Sequence, residues 1–228
     1  MKKRILPLLL SAMLLLLPVS CGKEKYDLLY QTEQNALTFC VRGSGDRAKQ
    51  LVVKEDAKIK WTQKVKVDKT VESIGGTYGL EIADLNFDGC LDVMLADSVS
   101  GDCVSKLCFL YDTESGTYVL SEMLDPLYNL KADPERQALL AFSQTIVRED
   151  GGTTTTDATT QYVWKNGVLT PKMRISLSYY SENNVYCSSV AYYNEATGEF
   201  EEDYEKEHWY FSEAERQAQD FSGLYYFK

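Results

Sequence analysis

Short hydrophobic and aromatic runs alternate with clusters of polar and turn-forming residues in this chain from Tyr26 onward. The runs recur at intervals of roughly ten residues, a spacing that is typical of an all-β sandwich, barrel or propeller. The 16 tyrosines and 8 phenylalanines suit pleated, half-buried sheet faces. We predict strands over 27–31, 36–42, 50–53, 59–66, 79–84, 93–97, 104–112, 118–120, 139–147, 159–165, 168–177, 185–193 and 200–204.

Two segments share one turn pattern. In 111–118 and 193–200, an aromatic residue is followed by Asp or Asn, two further residues, Ser or Thr, Gly, one more residue and a second aromatic. Residues 30–37 fit loosely, and 162–169 give a shorter version that turns at an Asn-Gly pair. Each pattern predicts a hairpin whose turn needs a residue with positive φ. Hairpins of one kind favour an all-β fold of antiparallel β-meanders that is propeller-like, incomplete or degenerate, although unrelated hairpins share such residues too.

Two segments depart from strand-like sequence. Ser212, followed three residues later by Glu215, forms a capping box that predicts one short C-terminal helix over 212–221. Residues 148–158 contain two adjacent glycines and four consecutive threonines, and we predict a polar loop there.

The first 20 residues predict an export signal. A basic segment at positions 2–4 precedes an apolar run over 5–19, which is shorter than the about 20 residues of a membrane-spanning helix. Ser20 and Cys21 follow. This end of the run resembles a bacterial lipobox, in which the cysteine is acylated, except that Pro18 stands where leucine is usual.

These features divide the chain into three predicted parts. They are a lipoprotein signal peptide over 1–20, a lipidated Cys21 with a short tether over 21–25, and a single β-rich domain over 26–228. The lipid would anchor the domain to the bacterial cell membrane, facing outside the cytoplasm. Plain secretion is the alternative.

The predicted mature chain is strongly acidic. Without residues 1–20, which carry three basic and no acidic residues, 208 residues hold 21 Lys plus Arg against 34 Asp plus Glu, a net charge near −13. Such a surface repels nucleic acid, which we exclude as a partner, and attracts cations and basic proteins. The plainer interpretation is that the charge only keeps the domain soluble.

Five cysteines follow Cys21, and an odd number cannot all pair within one chain. They are Cys40, Cys90, Cys103, Cys108 and Cys187. An oxidising compartment favours disulfides, with Cys103 and Cys108 the nearest pair, whereas in a reducing habitat the cysteines would serve as small buried hydrophobes. The sequence leaves both open. A single histidine and the absence of a Cys-x-x-Cys motif disfavour zinc.

The sequence over 84–92, Asp-Leu-Asn-Phe-Asp-Gly-Cys-Leu-Asp, has the ligand spacing of the front of a calcium loop. Calcium takes six to eight oxygen ligands at about 2.3–2.6 Å, and a curled loop aims alternate side chains at one point. The glycine at loop position 6 permits the sharp turn. We predict a calcium site formed by the side chains of Asp84, Asn86, Asp88 and Asp92 and by the backbone carbonyl of Cys90.

The loop departs from an EF-hand in two respects. Leu95 stands at position 12, where an EF-hand has its bidentate glutamate, and the flanking sequence is strand-like. Asp-Gly between apolar stretches is also a common hairpin turn, so a plain acidic turn is the alternative. Against it, three carboxylates within nine residues repel one another unless a cation neutralises them.

Catalytic signals are weak. His208, the single histidine, lies between an acidic and an aromatic residue with no Gly-x-Ser-x-Gly or comparable nucleophile motif in the chain. Gly75-Gly76 lacks the Lys-Ser/Thr of a phosphate loop. A pair of carboxylates for glycoside hydrolysis stays open, because 34 acidic residues always offer pairs.

The block 79–93 resembles the calcium segments of FG-GAP and VCBS-type repeat proteins. The order of the segments around 110–112, 115–119, 121–124, 133–135 and 162–169 is similar to that of bacterial envelope proteins that include a periplasmic immunity protein against a lysozyme-like effector. This resemblance implies a propeller-like fold with one calcium loop and a binding activity rather than catalysis. The inhibitory loop of those proteins has no match here.

The combined prediction is a non-catalytic, membrane-anchored, calcium-binding lipoprotein of the cell envelope that binds a protein partner. Its sharpest form is an inhibitor of a basic, lysozyme-like cell-wall hydrolase, toward which the acidic surface would steer it. The alternatives are a carboxylate-dependent cell-wall polysaccharide enzyme and a structural subunit of an envelope assembly.

Overall fold

The computed structural model describes residues 25–68, 71, 76–149, 151–212 and 214–215. These residues form 15 strands and one turn of 3₁₀ helix at Tyr204–Lys206. The strands are β1 (Asp27–Gln34), β2 (Leu37–Ser44), β3 (Arg47–Glu55), β4 (Lys58–Lys64), β5 (Glu81–Ala83), β6 (Asp92–Ser100), β7 (Cys103–Asp112), β8 (Thr117–Leu120), β9 (Tyr128–Asp133), β10 (Ala138–Glu149), β11 (Gly152–Lys165), β12 (Val168–Tyr180), β13 (Val185–Asn194), β14 (Glu199–Glu202) and β15 (His208–Tyr210).

The strands form two antiparallel sheets. The smaller sheet is a meander in the order β1-β2-β3-β4. The larger has 11 strands in the order β14-β13-β12-β11-β10-β9-β7-β6-β5, with β15 paired to β13 and β8 paired to β7. Most neighbours in the sheets are also neighbours along the chain, as expected for strands joined by hairpins.

Two hydrophobic cores cover the two faces of the β6–β7 region. The first lies between the sheets, where Phe39 and Leu51 from the smaller sheet pack with Leu95 and Phe109 from the larger one. Trp61 on β4 contacts the Phe109 ring edge-on, with ring centroids 5.2 Å apart. Each fully buried side chain of this size contributes roughly 1.5–3 kcal/mol through removal of apolar surface from water.

The second core lies on the opposite face of the larger sheet. It contains Met94, Cys108, Leu130 and Leu139, together with Leu85 from the segment that connects β5 to β6. Where β6 and β7 are buried on both faces, their sequences are continuously apolar rather than alternating, over 93–96 and 107–111.

The prediction of an all-β fold of antiparallel meanders is confirmed. Each of the 13 predicted strands overlaps an observed strand. A propeller-like arrangement is not confirmed, since neither sheet closes on itself within the described residues and no ring of blades is formed.

The predicted polar loop over 148–158 is wrong. Strand β10 continues to Glu149, and β11 begins at Gly152, so the threonines pair in register with β10 and with β12. The β-branched threonine side chain favours strands. This part of the sheet is not covered on either face by another element, so its strands can form without the alternation of apolar and polar residues that a half-buried strand shows.

Only the start of the predicted C-terminal helix lies within the described residues. The Oγ of Ser212 accepts a hydrogen bond from the Glu215 N–H at 3.1 Å, and the Glu215 carboxylate accepts one from the Phe211 N–H at 2.7 Å. These contacts are those of a helix N-terminal cap. The remainder of the predicted helix lies outside the described residues, as do residues 1–24.

The five described cysteines are free thiols. Cys103 and Cys108 both lie on β7, five residues apart, so they point to opposite sheet faces. Their separation along an extended strand, about 16 Å, is far beyond the roughly 7 Å limit for a disulfide. Burial is the main cause that raises the pKa of the Cys108 thiol, to about 12, so this side chain behaves as a small core hydrophobe.

Candidate metal centre and the adjacent surface

The predicted calcium loop connects β5 to β6 and folds its side-chain oxygens onto its own backbone. Asp84 Oδ1 and Asn86 Oδ1 both accept from the Asp88 N–H, at 3.1 and 3.3 Å. Asp84 Oδ2 accepts from the Gly89 N–H at 2.8 Å, and Asp88 Oδ1 accepts from the Cys90 N–H at 2.8 Å. The oxygens of the first three predicted ligands therefore face the inside of one tight turn.

Two residues give the loop its curvature through left-handed backbone conformations. Gly89, at loop position 6, has φ of 88°, which costs a glycine little. Phe87 has φ of 59°, which is uncommon for an aromatic residue and costs about 1–2 kcal/mol. The Phe87 side chain packs against the second core, and this packing offsets the backbone cost.

The Asp92 side chain binds the backbone of the loop and of β7 rather than pointing into the turn with the other predicted ligands. It is completely buried, and its two carboxylate oxygens accept from the N–H groups of Leu85 and Tyr111, each at 2.7 Å. Burial raises the pKa of the Asp92 carboxyl to about 6, although the two backbone hydrogen bonds oppose this shift. One side chain thus joins the start of the loop to β7.

A second contact holds the same segment from the other side. The Trp164 Nε1–H on β11 donates to the Leu85 carbonyl at 2.7 Å, and the Leu85 side chain is fully buried in the second core. The backbone of Leu85 is therefore held at both its N–H and its C=O.

The donor chemistry of the loop fits a hard cation at four of the five predicted ligands. Asp84 and Asn86 are half-buried and Asp88 is exposed, and all three offer oxygen. Burial, followed by the nearby Asp88 carboxylate, raises the pKa of the Cys90 thiol, so Cys90 stays protonated and only its carbonyl suits calcium. Both oxygens of Asp92 already serve the backbone, and its assignment as a ligand stays a prediction.

Among the described residues, no group of three His, Cys, Asp or Glu side chains is arranged to hold a metal ion. That statement covers only these four types of side chain. Two of the five predicted donors, the Asn86 amide oxygen and the Cys90 backbone carbonyl, are of other types. The calcium site stays a prediction that the loop geometry accommodates.

The loop borders an open cavity of about 540 Å³. Three exposed apolar residues, Val119, Leu120 and Met123, are among those that line it, and their exposed fractions are 50%, 47% and 46%. We call these three residues the apolar shelf. Large apolar side chains grouped on a surface, rather than scattered singly, mark interaction sites.

Polar groups surround the apolar shelf. The carboxylates of Asp88, Asp112 and Glu122 line the same cavity, and Asp88 belongs to the predicted calcium loop. Ser121, between two shelf residues, also lines it, and within the described part of the chain its Oγ is a buried side-chain atom without a hydrogen-bond partner. The cavity lining thus combines exposed apolar residues with three acidic ones.

Sequence reasoning did not identify the apolar shelf. Residues 118–120 were predicted as a strand, but the pattern does not show which apolar residues a short edge strand leaves exposed. Tyr118 packs in the first core, where its ring centroid lies 5.1 Å from that of Tyr111. Alternation along β8 then turns Val119 to the opposite face and Leu120 back to the face of Tyr118, and the sequence does not show that both positions lie uncovered at a sheet edge.

His208 lies exposed on the short strand β15. Its strand partner Ser188 is buried, and the Ser188 hydroxyl lies 3.3 Å from the Tyr210 hydroxyl. The predicted lipidation site, Cys21, lies outside the described residues. In the described part of the chain, no helix has both the length and the apolar character needed to cross a membrane.

Comparison with known proteins finds no match to a protein-family model and no curated protein of significant similarity. Among solved structures, this chain is similar to one described as a Xanthomonas Type IV secretion system related protein. The two share 15% sequence identity over 78% of this chain and 87% of that chain, with a TM-score of 0.44. A likeness at this level is too distant to transfer a function.

Proposed function

We propose that this protein is a non-catalytic, calcium-binding lipoprotein of the cell envelope, and that the apolar shelf beside its loop docks a protein partner. The partner that best fits the surface is a basic, lysozyme-like cell-wall hydrolase, which the protein would inhibit. Lipidated Cys21 would anchor the domain to the membrane, facing outside the cytoplasm. We also propose that the fold is related to the propeller-like FG-GAP and VCBS-type proteins that the loop sequence resembles.

One observation carries the proposal: the loop and the apolar shelf line the same cavity. Asn86 and Asp88 of the loop line it together with Leu120 and Met123 of the shelf. A cation that fixed the loop would therefore also fix one wall of the docking surface. Calcium would supply only this bracing, while the apolar shelf and the acidic residues of the cavity would make the contacts.

The charge of the surface favours a basic partner. The cavity is lined by three carboxylates and no basic side chain, and the predicted mature chain has a net charge near −13 from 21 basic and 34 acidic residues. Complementary charge accelerates encounter, whereas buried apolar anchors slow dissociation.

Two contacts argue against one form of the alternative, a polysaccharide enzyme whose carboxylate pair lies in a different groove. A groove elsewhere on the protein contains Glu202 and Glu207, but each carboxylate has a partner: Glu202 pairs with Arg174 at 3.3 Å, and Glu207 accepts from the Trp209 indole N–H. Neither carboxylate is therefore an unpaired group that faces the groove, as a catalytic acid or nucleophile would be.

The docking surface is tested by truncating it. Leu120→Ala combined with Met123→Ala should weaken the complex with a basic lysozyme by about tenfold or more, because roughly 1.4 kcal/mol of apolar contact is lost. The measurement is isothermal titration of the full chain in detergent with calcium present.

A matched control is Ile59→Ala combined with Val168→Ala. Both side chains are 59% exposed and lie outside the cavity, so this variant should bind as the unmodified protein does. Equal weakening in both variants, or no binding of any lysozyme at low salt, would remove the inhibitor proposal.

A further inference from the structure

A second candidate surface lies toward the other end of the larger sheet from the loop, several strands away. Strands β10–β15 line an open groove of about 430 Å³, whereas β5 and β6 are at the opposite edge of the sheet. We call it the hydroxyl groove. It is lined by Ser143, Thr145, Thr156, Ala158, Arg174, Ser176, Ser178, Tyr180, Cys187, Ser189, Glu202, Glu207 and Trp209.

Register explains why so many hydroxyl groups share one face. Directly paired residues point to the same side of a sheet, and pairing places them in cross-strand rows. One row is Ser143, Ala158, Ser176 and Ser189, and the next is Thr145, Thr156, Ser178, Cys187 and Trp209.

Small hydroxyl side chains leave the floor of the groove shallow and polar. The hydroxyl oxygens of Thr156 and Ser178 are 2.8 Å apart, as are those of Ser176 and Ser189. A hydroxyl that bonds a neighbour retains further capacity, because each has one donor and two acceptor sites. The rows therefore offer donors and acceptors at strand spacing, about 4.8 Å.

One end of the groove carries an aromatic platform. The rings of Tyr180 and Trp209 stack with centroids 5.6 Å apart and an angle of 27° between their planes. Trp209 is 48% exposed, and the Glu207 carboxylate accepts its indole N–H and fixes the ring orientation. An exposed indole with a fixed orientation offers a large apolar contact surface, and Trp is enriched in binding interfaces for this reason.

The charged side chains of the groove nearly cancel. Arg174 pairs with Glu202, and the Arg174 guanidinium also lies over the Phe200 ring, 4.5 Å from its centroid. Glu207 is engaged by Trp209. A lining with one cation and two anions suits a neutral ligand better than the acidic lining of the cavity beside the loop does.

The geometry points to a binding site for a neutral, β-linked polysaccharide strand, such as a glycan of a cell wall. An extended sugar chain presents alternating hydroxyls, which match the Ser and Thr rows, and flat C–H faces, which stack on Tyr180 and Trp209. A protein partner would instead require an apolar centre, which this groove lacks. This inference is independent of the proposed docking of a protein on the apolar shelf.

The test titrates the full chain in detergent with cellotetraose and with chitotetraose. Saturable binding of at least one of them is expected, accompanied by a change in tryptophan fluorescence. The other two tryptophans, Trp61 and Trp164, pack against the cores, so Trp209→Ala should abolish the fluorescence change. It should also weaken binding by about tenfold or more, the loss of roughly 1.4 kcal/mol.

Two further variants separate recognition from folding. Tyr204→Ala removes a side chain that is 79% exposed outside the groove, and it should leave affinity unchanged. Thr156→Val with Ser178→Ala removes a hydroxyl pair together while keeping Trp209, and it should weaken binding even if Trp209→Ala does not fold.

Failure of both tetrasaccharides to bind, or unchanged affinity in the hydroxyl-pair variant, would overturn the inference. Cleavage of either sugar that is lost in Glu202→Gln or Glu207→Gln would overturn it as well, by showing catalysis. None of these outcomes affects lysozyme binding by the apolar shelf, so the two proposals fail separately.

Discussion

At the scale of single residues, Asp92 determines how the loop is attached. Its buried carboxylate accepts from the backbone of Leu85 within the loop and of Tyr111 on β7. Burying a carboxylate is costly, but two N–H donors at 2.7 Å compensate it in part. The residue predicted as the last calcium ligand is thus an anchor between two strands.

Replacing Asp92 by Ala should destabilise the protein by roughly 3 kcal/mol or more, because two buried N–H groups would lose their acceptors. Urea unfolding of the full chain measures the change. Asp112→Ala is the control: Asp112 also accepts a backbone N–H, from Glu114 at 2.9 Å, but in an exposed turn, so its loss should cost under about 1 kcal/mol. Equal costs in the two variants would contradict the anchoring role.

At the scale of elements, the two hairpins with the shared turn pattern have the same detailed structure. Tyr111 pairs with Tyr118 and Tyr193 with Phe200, and each pair meets edge-on with centroids 5.1 and 5.4 Å apart. The turn glycines have φ of 67° and 75°, and each donates its N–H at 2.8 Å to the carbonyl of the Asp or Asn four residues earlier. The predicted positive-φ turns are confirmed.

Because the turns match, Gly116→Ala and Gly198→Ala should each destabilise the protein by about 1–2 kcal/mol, the cost of a left-handed conformation for alanine. An added Cβ would meet nothing closer than 3.8 Å at either position, so the cost is conformational rather than steric. Gly76→Ala, at an open position without a left-handed φ, is the control and should change urea stability little. Unequal costs in the two hairpins would contradict their equivalence.

The alternation of apolar and polar residues was sufficient to locate 13 strands, but β9 and β15 were missed. Strand β9 lies between two prolines and has a single fully buried apolar residue, Leu130, so its pattern is short and mostly polar. Strand β15 has only three residues. The threonine tract was misassigned because a sheet region without a covering layer shows no apolar face.

The candidate sites differ in how far sequence could predict them. The loop is contiguous, so the spacing of Asp84, Asn86 and Asp88 was visible directly. The apolar shelf depends on which side chains are left exposed. The hydroxyl groove depends on the combined register of β10 with β11, β11 with β12, β12 with β13 and β13 with β15, which brings together residues up to about sixty positions apart in sequence. Each hairpin turn sets the register of one strand pair, but the groove needs several registers to be correct at once, and a slip of one residue in any of them would turn that strand's hydroxyls to the other face.

At the scale of the whole molecule, the two proposed surfaces lie toward different edges of the larger sheet. The loop and apolar shelf are near β5–β8, and the hydroxyl groove spans β10–β15. This arrangement would let an envelope protein contact a cell-wall glycan and a protein acting on that glycan at once. We propose in particular that calcium bound in the loop would stabilise the docking surface beside it.

Amide hydrogen exchange of the full chain, in calcium and in chelator, tests that claim most directly. Metal that binds only the native state adds about 2.7 kcal/mol of stability at one hundred times its dissociation constant. We predict slower exchange in 84–92 and in 119–123 when calcium is present, and no such response in Asp84→Ala combined with Asp88→Ala. Exchange rates in these segments that are the same with and without calcium would contradict the claim.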